Sequence, residues 1–242
     1  MNFVCKLLLL LAVAGVAVYW AKSGQGEPGR ERVSVSNQPP APRLPLAGPE
    51  KPFHGVAWQI HHAGGIIEQA RQILGEIADL GADTVLISNA GYQEHAGSET
   101  FQIDPKVTPT EKEWRAIFEI AHGNGLRVVL MPIVLLSDPR GTEWRGVIQP
   151  CGGECWDDWF EQYRKFIAHF ARIAAEGDGE RPIEVLSVGS ELVSTEKYTD
   201  RWRKVIRDTR RVFPGRLTYS SNWDHYKVVE FWDELDYVGM TS

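Results

Sequence analysis

The segment Ile183-Glu184-Val185-Leu186-Ser187-Val188-Gly189-Ser190-Glu191-Leu192 reads as a strand that ends on a carboxylate. Side chains alternate along a strand. Leu186 and Val188 therefore fall on one face, suited to a helical layer, and Ser187, Gly189 and Glu191 on the other. On that reading Glu191 points into the mouth of a sheet or barrel, beside small residues that leave room for a ligand. A carboxyl group so placed suits general acid–base work, giving a proton to a leaving group and later taking one from water. The alternative is a structural glutamate bonded to a neighbouring arginine or amide. Glu184 has the opposite parity, sits at the bottom of the strand and reads as a surface residue.

A second constellation closes another strand, Thr218-Tyr219-Ser220-Ser221-Asn222-Trp223-Asp224-His225-Tyr226. Asn222 shares a face with Thr218 and Ser220, so it can reach inward to hydrogen-bond a polar ligand. Trp223 or Tyr226 offers a flat platform for stacking, or alternatively packs a loop against the rim. Trp58 and Asn89 stand at the ends of two earlier strands, next to Gln59 and Ser88, and join the candidate ligand contacts. His61-His62 invites a metal reading. A metal-dependent barrel wants a His-x-His pair there and further His on later strands, and His225 is the only other candidate near a strand end. No metal and no cofactor is expected. Cys151 and Cys155 enclose Gly152-Gly153-Glu154 and can close a small disulfide loop in an oxidising compartment.

The elements that hold these residues alternate strictly. Strand signals run over Phe53–Gln59, Asp83–Asn89, Arg127–Leu135, Ile183–Glu191, Arg216–Asp224 and Asp236–Ser242. Amphipathic stretches cover Ile66–Leu80, Thr110–Asn124, Trp156–Glu176, Glu196–Phe213 and the short Val228–Leu235. Such a βαβα order with apolar strands predicts a parallel sheet covered by helices. A doubly wound nucleotide binder needs a Gly-rich turn after its first strand, and Trp58-Gln59-Ile60-His61-His62 has none. Polar and aromatic residues instead gather at the C-terminal strand ends, where a (β/α)₈ TIM barrel keeps its active site. Six βα units are visible, so the barrel is expected to be incomplete over residues 53–242.

Composition narrows the classes further. The 242 residues are 43% hydrophobic and carry a formal net charge of −6, with no basic stripe that would mark a nucleic-acid binder. Nine Trp is high for this length, and flat aromatic faces stack well on sugar rings. Lys6 precedes fifteen apolar residues, Leu7 to Ala21, which read as a signal peptide or an N-terminal membrane anchor over residues 1–22. A helix of that length spans roughly 22 Å, short for a ~30 Å hydrocarbon core. Residues 23–52 hold seven prolines between Pro28 and Pro52 and read as a disordered linker. The barrel is thus expected to be exported: periplasmic, extracellular, or tethered to the membrane facing outside the cytoplasm.

Together these segments resemble glycoside hydrolase family 113, whose known members are β-mannanases on a (β/α)₈ barrel of a retaining clan. The resemblance runs from about Phe53 to Ser242. It is carried by Asp104-Pro105-Lys106-Val107-Thr108-Pro109-Thr110, Trp144-Arg145-Gly146, Val188-Gly189-Ser190-Glu191-Leu192 and Phe231-Trp232-Asp233-Glu234-Leu235-Asp236-Tyr237-Val238-Gly239. It implies that Glu191 is the acid/base and that the partner is a polysaccharide or oligosaccharide. The complete protein is expected to be a monomer. The family's nucleophile is a Glu on the seventh strand, expected beyond Ser242. At the third strand the family commonly shows Lys-Pro-His, where this chain has Met131-Pro132-Ile133. The rival expectation is a non-catalytic glycan-binding or envelope-associated barrel, which uses the same groove without a second carboxylate.

Overall fold

A computed structural model describes residues 51–241, so the expected signal or anchor and nearly all of the linker lie outside the described residues. Six strands follow one another in a single parallel sheet in the order β1-β2-β3-β4-β5-β6. They are β1 (Gly55–Ile60), β2 (Thr84–Gln93), β3 (Arg127–Leu136), β4 (Val185–Ser190), β5 (Arg216–Asn222) and β6 (Tyr237–Thr241). Every strand pairs with its sequence neighbour, and the order never reverses. That distinguishes a curling barrel wall from a doubly wound sheet, which needs a reversal point. The described residues form six units of a (β/α)₈ barrel.

Four helices cover the outer face: α1 (Ile66–Asp79), α2 (Glu111–Gly123), α3 (Trp156–Glu176) and α4 (Thr199–Arg210). Helix α2 opens on a capping box, in which Thr110 accepts from the Glu113 amide and the Glu113 carboxylate accepts from the Thr110 amide. Two expectations are corrected. The stretch Val228–Leu235 is not an α-helix and holds one short 3₁₀ turn, Trp232–Glu234, after another at Tyr226–Val228, because Val229 and Phe231 are drawn into the core at 4% and 0% exposure. Helix α4 begins at Thr199 rather than Glu196, since Glu196 is fully buried before the helix starts. Among the described residues no helix is long and apolar enough to cross a membrane.

The core lies between sheet and helices. Ile60, Val85, Ile87, Leu130, Leu186, Leu217 and Tyr219 meet Trp114, Phe118, Tyr163, Phe170 and Trp202 there, all of them solvent-inaccessible. At the bottom of the barrel, Phe53 lies edge-on to Tyr237 with ring centroids 5.6 Å apart. The Arg127 guanidinium lies over the Phe53 ring at 4.1 Å and bonds the Lys51 and Pro52 carbonyls. The chain entering β1 therefore meets the start of β6 at that end.

Candidate active site

Register decides which side chains reach the mouth. In β2 the residues Val85, Ile87, Asn89, Gly91 and Gln93 face the helices: a Cβ on Gly91 would run into the Phe166 ring of α3. Residues paired side by side in parallel strands point the same way. Trp58 is paired with Ile87 and is only 7% exposed in the same core. The expectation that Trp58 and Asn89 line the mouth is therefore corrected. Asn89 is fully buried and donates its Nδ2 to the Val107 carbonyl at 3.2 Å, tying the β2–α2 loop down. Gln59 and Ser88, one position along and paired with each other, take the inner face together with Met131.

Strand β5 is regular, and Thr218, Ser220 and Asn222 keep the inward parity expected of them. The Asn222 Oδ1 is buried and has no partner. Trp223 and Tyr226 follow on the rim at 65% and 38% exposure. The Tyr226 carbonyl accepts from the Trp232 indole, which anchors that loop.

Strand β4 departs from simple alternation. Ser187 pairs with Thr218 but Ser190 pairs with Ser220, so β4 spends one residue more than β5 over the same span. This bulge puts Ser187 and Ser190 on the inner face and turns Gly189 to the helical layer. A Cβ on Gly189 would lie 2.8 Å from Tyr219, 2.9 Å from Trp202 and 3.0 Å from Tyr163. The expectation that Gly189 shares the inner face with Glu191 is corrected accordingly. Glu191 itself leaves the strand in the left-handed region, φ 54°, with its amide held by the Ser220 carbonyl at 2.8 Å.

The Glu191 carboxylate is about 20% exposed and pairs with the guanidinium of Arg145, which comes from the turn Arg145–Val147 between β3 and α3. Arg145 Nε and Ser190 Oγ are buried without partners. The strand top thus combines an oriented carboxylate, a fixed cation and donor and acceptor atoms left unpaired, the condition a polar ligand or water would satisfy.

Behind Glu191 lies a carboxylate that strand periodicity missed. Glu196 is solvent-inaccessible. Its Oε1 accepts from Tyr219 Oη at 2.8 Å and Ser221 Oγ at 3.0 Å, and its Oε2 from His225 Nδ1 at 2.5 Å. Burial, and then the nearby Glu196 charge, hold the Tyr219 phenol well above its usual pKa, so it remains a donor. The available signal was Thr195-Glu196 a few residues after a strand end, which reads equally well as a helix start.

Cys151 and Cys155 are joined by a disulfide, with Cα atoms 5.4 Å apart, and the Cys151 amide bonds the Gly97 carbonyl. The carboxylate of Glu99 lies beside the two sulfurs. Glu184 is not a free surface group. It accepts from the Val128 amide at 2.8 Å and faces His122 Nε2 at 3.3 Å, while His122 Nδ1 meets Asp178 at 2.5 Å. His61 and His62 are exposed.

The family model of Glycoside Hydrolase Family 113 matches residues 56–242. The chain is similar to the GH113 β-mannanase AaManA from Alicyclobacillus acidocaldarius, solved in complex with ManMIm. Identity is 30% and the TM-score 0.69, over 78% of this chain and 60% of that one. It is also similar to a GH113 β-1,4-mannanase, at 26% identity and TM-score 0.68, over 78% of this chain and 62% of that one. A β-hexosaminidase from Streptomyces plicatus, at 12% identity and TM-score 0.51, shares the fold alone. No curated protein matches. The chain spans about three-fifths of the length of the solved mannanases. With the family model covering most of it, the chain belongs to Glycoside Hydrolase Family 113.

Proposed function

We propose that these six units supply the acid/base side of a retaining glycosidase site acting on a β-linked polysaccharide, with β-mannan as substrate. The observation that carries this reading is Glu191 at the top of β4 in a chain of this family, oriented by Arg145 and next to the unpaired Ser190 Oγ. Glu191 protonates the leaving glycosidic oxygen, then takes the proton of the water that frees the sugar. Asn222 hydrogen-bonds a sugar hydroxyl, and Trp223 or Tyr226 offers the ring on which the sugar stacks. Retention needs a second carboxylate about 5–5.5 Å away. On this reading a Glu of a seventh strand would supply it, and the described residues hold six strands.

The same reading makes the protein an exported one. The apolar run Leu7 to Ala21 supports this, as does the Cys151–Cys155 disulfide, a bond at home in oxidising compartments. Residues 7–21 would serve as signal or membrane tether, residues 23–52 as spacer.

The ion pair with Arg145 favours a second reading, a non-catalytic glycan-binding barrel in which Glu191 is structural. Glu191→Gln in the full-length protein separates the two. If Glu191 is the acid/base, turnover of an unactivated mannooligosaccharide falls by roughly 10²–10⁴-fold while glycan affinity is largely kept. Near-full activity of the Gln variant would remove Glu191 from the mechanism. A wild-type protein that binds the glycan without cleaving it would favour the binding reading.

A further inference from the structure

Glu196 takes no part in the chemistry above, yet it is the most completely enclosed carboxylate near the mouth, and its partners are not arranged at random. Tyr219 Oη, which donates to Glu196 Oε1, accepts at the same time from the Leu192 amide at 3.1 Å. That amide belongs to the residue following Glu191, on the turn that the left-handed backbone of Glu191 creates. Ser221 and His225, the other two donors, flank Asn222 along the chain, and the His225 amide bonds the Asn222 carbonyl at 2.9 Å. One buried carboxylate thus fastens the turn that carries Glu191 and the turn that carries Asn222. A carboxylate only accepts, so each of its three partners donates.

A buried charge of this kind is poor evidence for stability, because removing it from water costs as much as its bonds return. Positional precision is the better account. Thr195 tightens the same segment, its amide and hydroxyl both bonding the Leu192 carbonyl, at 2.8 Å and 2.7 Å. The Trp202 indole of α4 in turn bonds Thr195 through its carbonyl and hydroxyl, each at 3.1 Å.

We propose that Glu196 is a positioning residue, which through Tyr219 holds the Glu191 turn, and through Ser221 and His225 holds Asn222, in the one relative placement that lets both meet the same sugar. The proposal rests on the reading of Glu191 as acid/base and extends it to the residues that fix its place.

The test uses the full-length protein and three variants. Tyr219→Phe removes only the hydroxyl that links Leu192 to Glu196 and keeps the buried ring. Glu196→Ala removes the hub. Glu196→Gln keeps an Oε1 that can still accept from Tyr219 and Ser221, while its amide can donate to His225 in the other ring tautomer. Small misplacements of reacting groups cost up to about 10²-fold. Tyr219→Phe and Glu196→Ala should therefore each lower kcat on a mannooligosaccharide by about tenfold or more, with KM within about threefold. Glu196→Gln should recover most of that loss. In the ligand-free protein, Leu192 amide exchange should quicken about tenfold in Tyr219→Phe while amides of β2 and β3 keep their protection. Unchanged kcat in both Tyr219→Phe and Glu196→Ala, or an unchanged Leu192 amide in Tyr219→Phe, would overturn the proposal. If Glu191→Gln stays active, the acid/base reading fails on its own account. Leu192 amide exchange in Glu196→Ala, quickened if the hub holds that turn and unchanged if it does not, still decides whether Glu196 holds it.

Discussion

The guanidinium of Arg145 reaches the carboxylate of Glu191 across 46 residues of chain, from the loop after β3 to the top of β4. Arg145 lies in the Trp144-Arg145-Gly146 segment, and a Cβ on Gly146 would strike the Trp144 ring, so that indole packs directly over the turn's backbone. The loop is thereby braced at the point where its arginine turns inward.

Removing that cation should disturb the site more than the fold. Arg145→Ala leaves a part-buried carboxylate without its charged partner, and a lost charged hydrogen bond is worth about 1.5–3 kcal/mol. The expected outcome is a loss of stability of that order by denaturant unfolding. The fall in kcat/KM should exceed what the folded fraction accounts for. Full activity at unchanged stability would show that Arg145 neither orients Glu191 nor supports it.

The bulge in β4 makes a second expectation. Gly189 packs against Tyr219, Trp202 and Tyr163, three fully buried side chains with nowhere to move. Gly189→Ala inserts a methyl within 3.0 Å of all three. Overpacking of a filled core costs about 1–3 kcal/mol, and the strand must shift to relieve it. Equilibrium unfolding should show that loss, and the site at Glu191, two residues further along the chain, should lose activity with it. An Ala variant as stable as the parent would mean that Gly189 faces open space, not the helices.

Much of this was legible in the sequence, and the failures have physical reasons. Six strands were legible because buried parallel strands are short apolar runs set between amphipathic stretches. Asn222 was placed on the right face because β5 is unbroken from Thr218 onward. Trp58 and Asn89 were not, since period-2 alternation says which residues share a face but not which face turns inward when both are buried. The bulge at Val188-Gly189 adds one residue, and nothing in its composition announces it. Glu196 was hidden for another reason. Its burial depends on three donors from β5 and the loop after it, which are neighbours only once the sheet has formed.

The cluster of His122, Asp178 and Glu184 predicts a pH window for stability. Burial alone would lower the His122 pKa, but its bonds to Glu184 and Asp178 outweigh burial and raise it above the ordinary 6.5. Its contribution is therefore complete below 6.5 and is lost as pH rises through the elevated folded value. Burial would raise Asp178, yet the Arg181 and Glu180 amides and His122 bring it down to about 2 from 3.8. Glu184 is likewise held below its ordinary 4.5 against burial, by His122 and the Val128 amide. For both acids the contribution is complete above the ordinary value and lost as pH falls through the folded one. All three act at full strength between 4.5 and 6.5. The stability difference between the parent and Asp178→Asn should peak in that window and shrink on both sides. A difference that stays flat from pH 4 to 8 would mean the cluster is not coupled to folding.

The open sheet carries its own prediction. Among the described residues β1 and β6 each pair with one strand only, so both stand at an edge of the sheet. Val238 and Met240 of β6 are 58% and 57% exposed, and Val56 of β1 is 38% exposed, all on strands that pair elsewhere with buried core positions. Val238 is paired with Tyr219, which is fully covered, so the outer face of the sheet changes from buried to wet between β5 and β6. A sheet edge that exposes apolar side chains is a template for another chain. Residues 51–242 expressed alone should therefore associate, and light scattering should show species larger than a monomer at about 100 μM. Val238→Lys with Met240→Lys puts two charges on that edge and should shift the population towards monomer without changing the far-ultraviolet circular dichroism. A parent fragment that runs as a clean monomer at that concentration would mean that the edges are protected by something other than strand pairing.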